Sequence, residues 1–144
     1  MNEWHMVSSK EDIEELMDTY AGFHDSWLVS LNYQTGLLPN SKGKIPWIDD
    51  DVRKASLIFQ RTREWQPSTI ELEFSGVEEF HIYKTEDWWF ECNIYFSQTY
   101  QQNIVWADCE ECEEIAIDDL ANTHFNYIIA KALRWRIVPA QTRD

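Results

Sequence analysis

The carboxyl-terminal segment 125–138 reads FNYIIAKALRWRIV and has the alternating pattern of a β-strand. Leu133, Trp135 and Ile137 fall on one face of such a strand, because successive side chains point to opposite sides. Arg134 and Arg136 fall on the other face. Pro139 follows and predicts the end of the strand, since proline lacks the backbone N–H that a ladder needs. The segment therefore predicts a strand with one buried face and one cationic face.

The segment 68–84 reads STIELEFSGVEEFHIYK and alternates in the same way. Its residues Glu71 and Glu73 share one face of a strand, opposite to the apolar side chains. We expect these two acids to pair across the sheet with Arg134 and Arg136, because opposite charges on neighbouring strands attract.

The middle of this segment contains Gly76, which predicts a turn. A two-residue hairpin at Ser75-Gly76 would mix apolar and acidic residues on one face. A three-residue loop at 75–77 keeps one apolar face, and it pairs Leu72 with Phe80 and Ile70 with Ile82. We therefore predict a hairpin with that loop.

The amino-terminal segment has a helical period. Ser8 and Glu11 have the spacing of a capping box. Gly22 follows the pattern and can end it, so we predict one amphipathic helix over residues 9–21. Its apolar stripe consists of Ile13, Leu16, Met17 and Tyr20.

The remaining chain predicts further strands. Residues 27–34 alternate as a half-buried strand, and residues 37–51 read as a long surface loop. In the next strand Ala55, Leu57 and Phe59 share a face with Arg61 in phase. Two more strands follow, in which residues 90, 92, 94 and 96 share a face and residues 104 and 106 pair back across a turn at 98–102.

These elements predict the fold class. One N-terminal helix followed by about seven strands with short connections indicates an α+β fold with a mainly antiparallel, curved sheet. The 144 residues suit a single domain, 1–144, and 44% hydrophobic residues distinguish the chain from acidic disordered segments.

Charge limits the possible partners. The 26 acidic residues exceed the 12 basic ones and give a net charge of −14. Nucleic acid and anionic membrane surfaces are disfavoured as partners, because both bind proteins through lysine and arginine. A basic protein partner is favoured. The start of the chain lacks a signal pattern and the cysteine count is odd, so we expect a cytoplasmic protein.

The acids concentrate in one stretch, which we predict as the partner-binding site. Seven acids occur in the twelve residues 108–119 without a lysine or arginine: Asp108, Glu110, Glu111, Glu113, Glu114, Asp118 and Asp119. A solvated loop that only aids solubility would look the same. As an electrostatic docking surface, the run would steer a basic partner, and the three aspartates 49–51 could add to it.

Two cysteines define an alternative, a zinc-binding protein. Cys109 and Cys112 form a CxxC pair, and Cys92 and His124 could complete a Cys3His set. Nothing in the spacing requires that set, and Cys92 has the position of a buried strand residue. We predict no metal and no cofactor.

A small hydrolase or carbohydrate-active protein is the other alternative. Glu71 and Glu73 could act as a glycosidase pair, and His24-Asp25-Ser26 contains the residue types of a hydrolase triad. Adjacent residues entering a strand point to alternate sides, however, so the triad relay cannot form. We predict a turn at 24–26 and no catalytic residue.

The eight tryptophans divide into two groups. Trp27, Trp106 and Trp135 are in phase with apolar neighbours and are expected in the core. Four of the other five lie in predicted turns or loops, where they could be exposed interface anchors or a sugar-stacking platform. They are Trp4, Trp47, Trp65 and one of Trp88 and Trp89.

Three short strings carry a resemblance: FHDS at 23–26 with the strand that follows, IELEF at 70–74 before Gly76, and AKALRWR at 130–136. In these strings the chain resembles a group of small, mostly uncharacterised bacterial cytoplasmic proteins, some of which are similar to immunity proteins encoded beside secreted toxins. The resemblance covers about a quarter of the chain and implies a shared fold. The strings are strand patterns, so the resemblance assigns no functional residue.

With the charge, the resemblance favours an immunity-type inhibitor of a basic toxin or nuclease.

Overall fold

A computed structural model describes residues 3–45, 52–82, 92–97, 103–108 and 126–143. In these ranges the chain forms one α-helix, one short 3-10 turn and seven strands. The elements are β1 (His5–Val7), α1 (Lys10–Thr19), the 3-10 turn (Ala21–Phe23), β2 (Trp27–Gln34), β3 (Lys54–Gln60), β4 (Thr69–His81), β5 (Asn93–Phe96), β6 (Ile104–Ala107) and β7 (Tyr127–Ile137). Within the described ranges, no helix has the length and apolar character needed to cross a membrane.

The strands form one antiparallel sheet in the order β2-β3-β4-β7-β6-β5, and β1 also pairs with β7. One side of β7 contacts β4. Its other side pairs with β6 at residues 127–130 and with β1 at residues 133–135. The predicted antiparallel sheet of about seven strands is confirmed. The chain is mostly sheet with a single helix, and that helix follows β1 instead of opening the fold.

The predicted hairpin at 75–77 is wrong. Residues 69–81 form one continuous strand, which pairs with β3 on one side and with β7 on the other. Leu72 therefore lies opposite Leu57 and Trp135, not opposite Phe80. Gly76 has a φ of +63°, and the ladder with β7 shifts register between residues 77 and 79. The glycine thus belongs to a bulged region of a long strand and not to a turn.

Helix α1 is shorter than predicted and its capping box lies one residue later. Ser9 is the N-cap, and its Oγ accepts a hydrogen bond from the Asp12 backbone N–H at 3.2 Å. Asp12 Oδ2 accepts bonds from the backbone N–H groups of Ser8 and Ser9, at 2.9 and 3.1 Å. These bonds, that from the Ser8 backbone above all, lower the pKa of Asp12. The helix ends at Thr19, before Gly22.

The core lies between one face of the sheet and α1 with the turn after it. The predicted stripe is confirmed at Ile13, Leu16 and Tyr20, which are buried, while Met17 is partly buried. The Phe23 ring lies 5.1 Å from that of Phe59. The inward phases predicted for β3, β5, β6 and β7 hold for most of their members. Phe96 and Ile137 are only partly buried, and Phe90 lies outside the described residues. The buried members are Ala55, Leu57, Phe59, Cys92, Ile94, Ile104, Trp106, Leu133 and Trp135.

Strand β2 forms one edge of the described sheet and is more exposed than predicted. Leu31 and Tyr33 lie opposite the buried Leu57 and Ala55, yet they are 39% and 37% exposed. The apolar face of the sheet is therefore incompletely covered at this edge. Trp27 is only half-buried, so its prediction as a core residue is wrong.

Candidate functional site

The predicted pairing of acids and arginines across β4 and β7 is confirmed. Arg134 Nη2 lies 2.8 Å from Glu73 Oε1, and Arg136 Nε lies 2.7 Å from Glu71 Oε1. Both guanidinium groups lie over the Trp4 ring, at 4.0 and 4.2 Å from its centroid. Both carboxylates accept hydrogen bonds from arginines, which is the structural pairing that the sequence predicted.

The His24-Asp25-Ser26 segment does not form a hydrolase triad. The Ser26 side chain is buried, and its Oγ donates a hydrogen bond to the Phe23 carbonyl oxygen at 2.6 Å. His24 and Asp25 instead line a small cavity on the surface. The predicted turn is present, and its serine is held by a backbone carbonyl group of the same turn.

The backbone of this turn is unusual. Three of its residues have positive φ values, which residues other than glycine rarely adopt. They are Ala21 at +50°, Phe23 at +64° and Asp25 at +55°. Hydrogen bonds from Phe23 N to Tyr20 O and from His24 N to Ala21 O, at 3.0 and 3.1 Å, hold the turn. Strained residues of this kind are common at functional sites.

The turn forms one wall of a cavity of about 260 Å³ lined by Ala21, His24, Asp25, Arg61 and Trp65. Arg61 follows β3 in the inward phase of that strand and is 5% exposed. Trp65 is 52% exposed, as predicted for a loop tryptophan. The cavity thus combines a buried cation, an acid and a flat apolar surface. The sequence marked His24 and Asp25 together as candidate triad residues and Trp65 as a loop tryptophan, but no local pattern indicated that Arg61 would join them.

The cysteine alternative is only partly within the described residues. Cys92 is buried beside the core, as expected for a small apolar residue. In the ranges that the structure describes, no group of three or more histidine, cysteine or acidic side chains is placed to hold a metal ion. Cys109, Cys112 and His124 lie outside those ranges.

The predicted partner-binding run begins at the end of β6. Asp108 is half-buried; its backbone N–H donates to Asn126 O at 2.9 Å, and its Oδ2 accepts from Asn126 Nδ2 at 3.2 Å. The other six residues lie outside the described residues, as do the aspartates at 49–51. These six predicted site residues are Glu110, Glu111, Glu113, Glu114, Asp118 and Asp119.

A second acidic surface lies on α1 and was missed as a site. Glu11, Glu14, Glu15 and Asp18 follow the spacing i, i+3, i+4 and i+7, and all four are exposed. In the described part of the chain, none of them is in an ion pair. We call these four residues the α1 acidic stripe. The helical periodicity that predicted the buried face also places these acids together, so the sequence contained the signal.

Comparison of the chain with family models, curated proteins and solved structures gave no match.

Proposed function

We propose that this chain is a non-enzymatic binding protein whose acidic surface binds a basic protein. The α1 acidic stripe is the observation that carries the proposal. Four carboxylates lie on one face of a short helix, and no cation of the described residues neutralises them. A basic partner would be attracted by this surface and by the net charge of −14.

The stripe costs stability, which favours a role in binding. Like charges at i, i+4 positions destabilise a helix, as Glu11 with Glu15 and Glu14 with Asp18 do. Asp18 also lies in the last turn, where the helix dipole disfavours an acid and where α1 has no basic residue. Neither folding nor helix formation requires this arrangement.

The resemblance to immunity proteins gives the proposal its specific form, an inhibitor of a basic toxin or nuclease. Such an inhibitor would cover the active surface of its target through complementary charge. The predicted run at 108–119 would extend the acidic surface. A cytoplasmic location and a fold shared with that group are part of the same proposal.

The test uses the two proteins encoded by the genes that flank the gene of this chain, each expressed with a tag. Binding is measured by biolayer interferometry at 50 and 500 mM NaCl. We expect one of them to bind, with affinity at least about tenfold weaker at high salt. Replacing Glu11, Glu14 and Asp18 by lysine should slow association about tenfold or more.

The control variant is Glu71→Gln/Glu73→Gln, which removes acids already paired with arginines and should leave association unchanged. The proposal would be wrong if neither flanking protein binds. It would also be wrong if a complex forms but its affinity does not depend on salt and the lysine variant associates at the normal rate. Catalytic turnover of a substrate by the purified chain would support the hydrolase alternative instead.

A further inference from the structure

The cavity beside the strained turn contains a cation that the fold leaves incompletely partnered. Arg61 is 5% exposed, and its Nε donates to the Pro67 carbonyl oxygen at 2.9 Å. Its guanidinium carbon lies 4.4 Å from the centroid of the Tyr20 ring. Within the described part of the chain, Arg61 is in no ion pair, and its two Nη groups have no hydrogen-bond acceptor.

Such a group is costly in a folded protein. A buried charge is normally paired, because its removal from water is unfavourable. Arg134 and Arg136 follow that rule although they are far more exposed. Tyr20 contacts the guanidinium with its ring face and forms no hydrogen bond to it, while its hydroxyl donates to Ser68 O at 3.0 Å. Arg61 lines the cavity, and its Nη groups are the donors of this side chain that have no acceptor among the described residues.

We propose that this cavity binds a small molecule through a carboxylate held by Arg61. The planar guanidinium presents parallel N–H donors that match the two oxygens of a carboxylate. Pro67 and Tyr20 fix its position before a ligand arrives, which lowers the entropy cost of binding. The exposed Trp65 ring would cover the apolar part of the ligand.

The remaining lining restricts the ligand class. Asp25 contributes a carboxylate to the wall, so an anion with two charges would be repelled more strongly than one with a single charge. The volume of about 260 Å³ lies at the small end of ligand cavities. A monocarboxylate with a compact apolar group fits both conditions better than a phosphate ester does.

Sodium benzoate is the probe, and benzamide and inorganic phosphate are the comparison ligands. Each is titrated into ¹⁵N-labelled protein at constant ionic strength, and the signals of the Arg61 Nε–H and the Trp65 indole N–H are followed by NMR. We expect saturable shifts of both signals with benzoate. Benzamide should bind at least about tenfold more weakly, because it lacks the charge-assisted bonds, and phosphate should also bind more weakly than benzoate.

Three variants separate recognition from folding. Arg61→Gln should abolish the benzoate response. Trp65→Ala changes an exposed side chain, so it should fold normally and weaken benzoate binding several-fold. Asp25→Asn keeps a residue that tolerates positive φ and should tighten benzoate binding, since it removes a like charge.

Each remaining outcome contradicts the proposal. Benzamide binding as tightly as benzoate would exclude carboxylate recognition, and tighter binding of phosphate would exclude the monocarboxylate class. If Arg61→Gln does not fold, the decision rests on the other two variants. Benzoate binding that neither of them alters would then show that the cavity is not the site, as would a lack of response in the unaltered protein.

Discussion

The acids of β4 and those of the α1 acidic stripe differ in what surrounds them. Glu71 and Glu73 are mostly buried, with side chains 15% and 18% exposed, and each contacts an arginine more than sixty residues away in the chain. The four acids of the α1 acidic stripe are exposed, and no basic residue lies in the last turn of the helix. The comparison shows that acidic side chains of one chain can be structural ion-pair partners at one place and available surface charge at another.

The central strand β4 should be far more sensitive to side-chain truncation than the edge strand β2. Leu72 is fully buried between Leu57 and Trp135, so Leu72→Ala should lower the free energy of unfolding by about 2–5 kcal/mol through lost burial and a cavity. Leu31→Ala is the matched control at 39% exposure and should cost less than about 1 kcal/mol. Urea denaturation measures the free energy of unfolding of both variants. Equal losses of stability would contradict the difference expected between the buried and the exposed leucine.

The ion pair itself should show a smaller but measurable coupling. A double-mutant cycle with Glu73→Ala and Arg134→Ala should give an interaction free energy of about 1 kcal/mol, reduced by the partial exposure of the arginine. The cycle is needed because Arg134→Ala also removes the contact with Trp4. The same cycle on Lys10 and Glu14, which lie one helical turn apart on α1 and form no ion pair with each other, should give less than about 0.5 kcal/mol. Equal interaction free energies for the pair in the sheet and the pair on α1 would contradict the distinction between structural ion pairs and available surface charge.

The start of α1 is the one place where an acid of this helix has a structural role. Ser9→Ala should cost about 1 kcal/mol, because it leaves the Asp12 N–H without its cap. Ser8→Ala removes only an exposed hydroxyl contact with Asp12 and should cost less. Thermal unfolding at neutral pH compares the two variants. A larger effect at Ser8 would place the cap at the residue that the sequence predicted.

Asp12 should also contribute to the acid dependence of stability. Its pKa in the folded chain is lowered, so its contribution is present above its unfolded pKa of about 3.9 and is lost as the pH falls through the folded value. Asp12→Asn should therefore flatten the decline of the unfolding free energy as the pH falls below about 4. If the unfolding free energy of that variant declines at acid pH as steeply as that of the unaltered protein, the proposed contribution of Asp12 would be wrong.

The smallest effect on stability is expected at the α1 acidic stripe. Glu14→Gln and Asp18→Asn should change the free energy of unfolding by less than about 0.5 kcal/mol, and Asp18→Asn should raise it, because it relieves an unfavourable interaction with the helix dipole. Denaturation at low and high salt measures this change. A clear loss of stability would mean that the stripe is structural, which would weaken its proposed role in binding.

Much of the sheet could be predicted because alternation is a local property. The polar and apolar faces of residues 70–74 and 133–137 are correct, and so is the cross-strand pairing of their charges. The hairpin at 75–77 failed because Gly76 has the same local appearance in a turn as in a bulge. The difference lies in the partner strands, since β3 and β7 together satisfy both edges of a continuous β4.

The sequence by itself determined which residues can be buried, where charge is concentrated, and that α1 has opposite apolar and acidic faces. These properties follow from side-chain chemistry and from the periods of helix and strand. Only the tertiary structure decided that β2 lies at an exposed edge, and that Arg61 meets Asp25 and Trp65 in one cavity. Such meetings depend on which segments pack together, and packing is a property of the whole chain that no local pattern specifies.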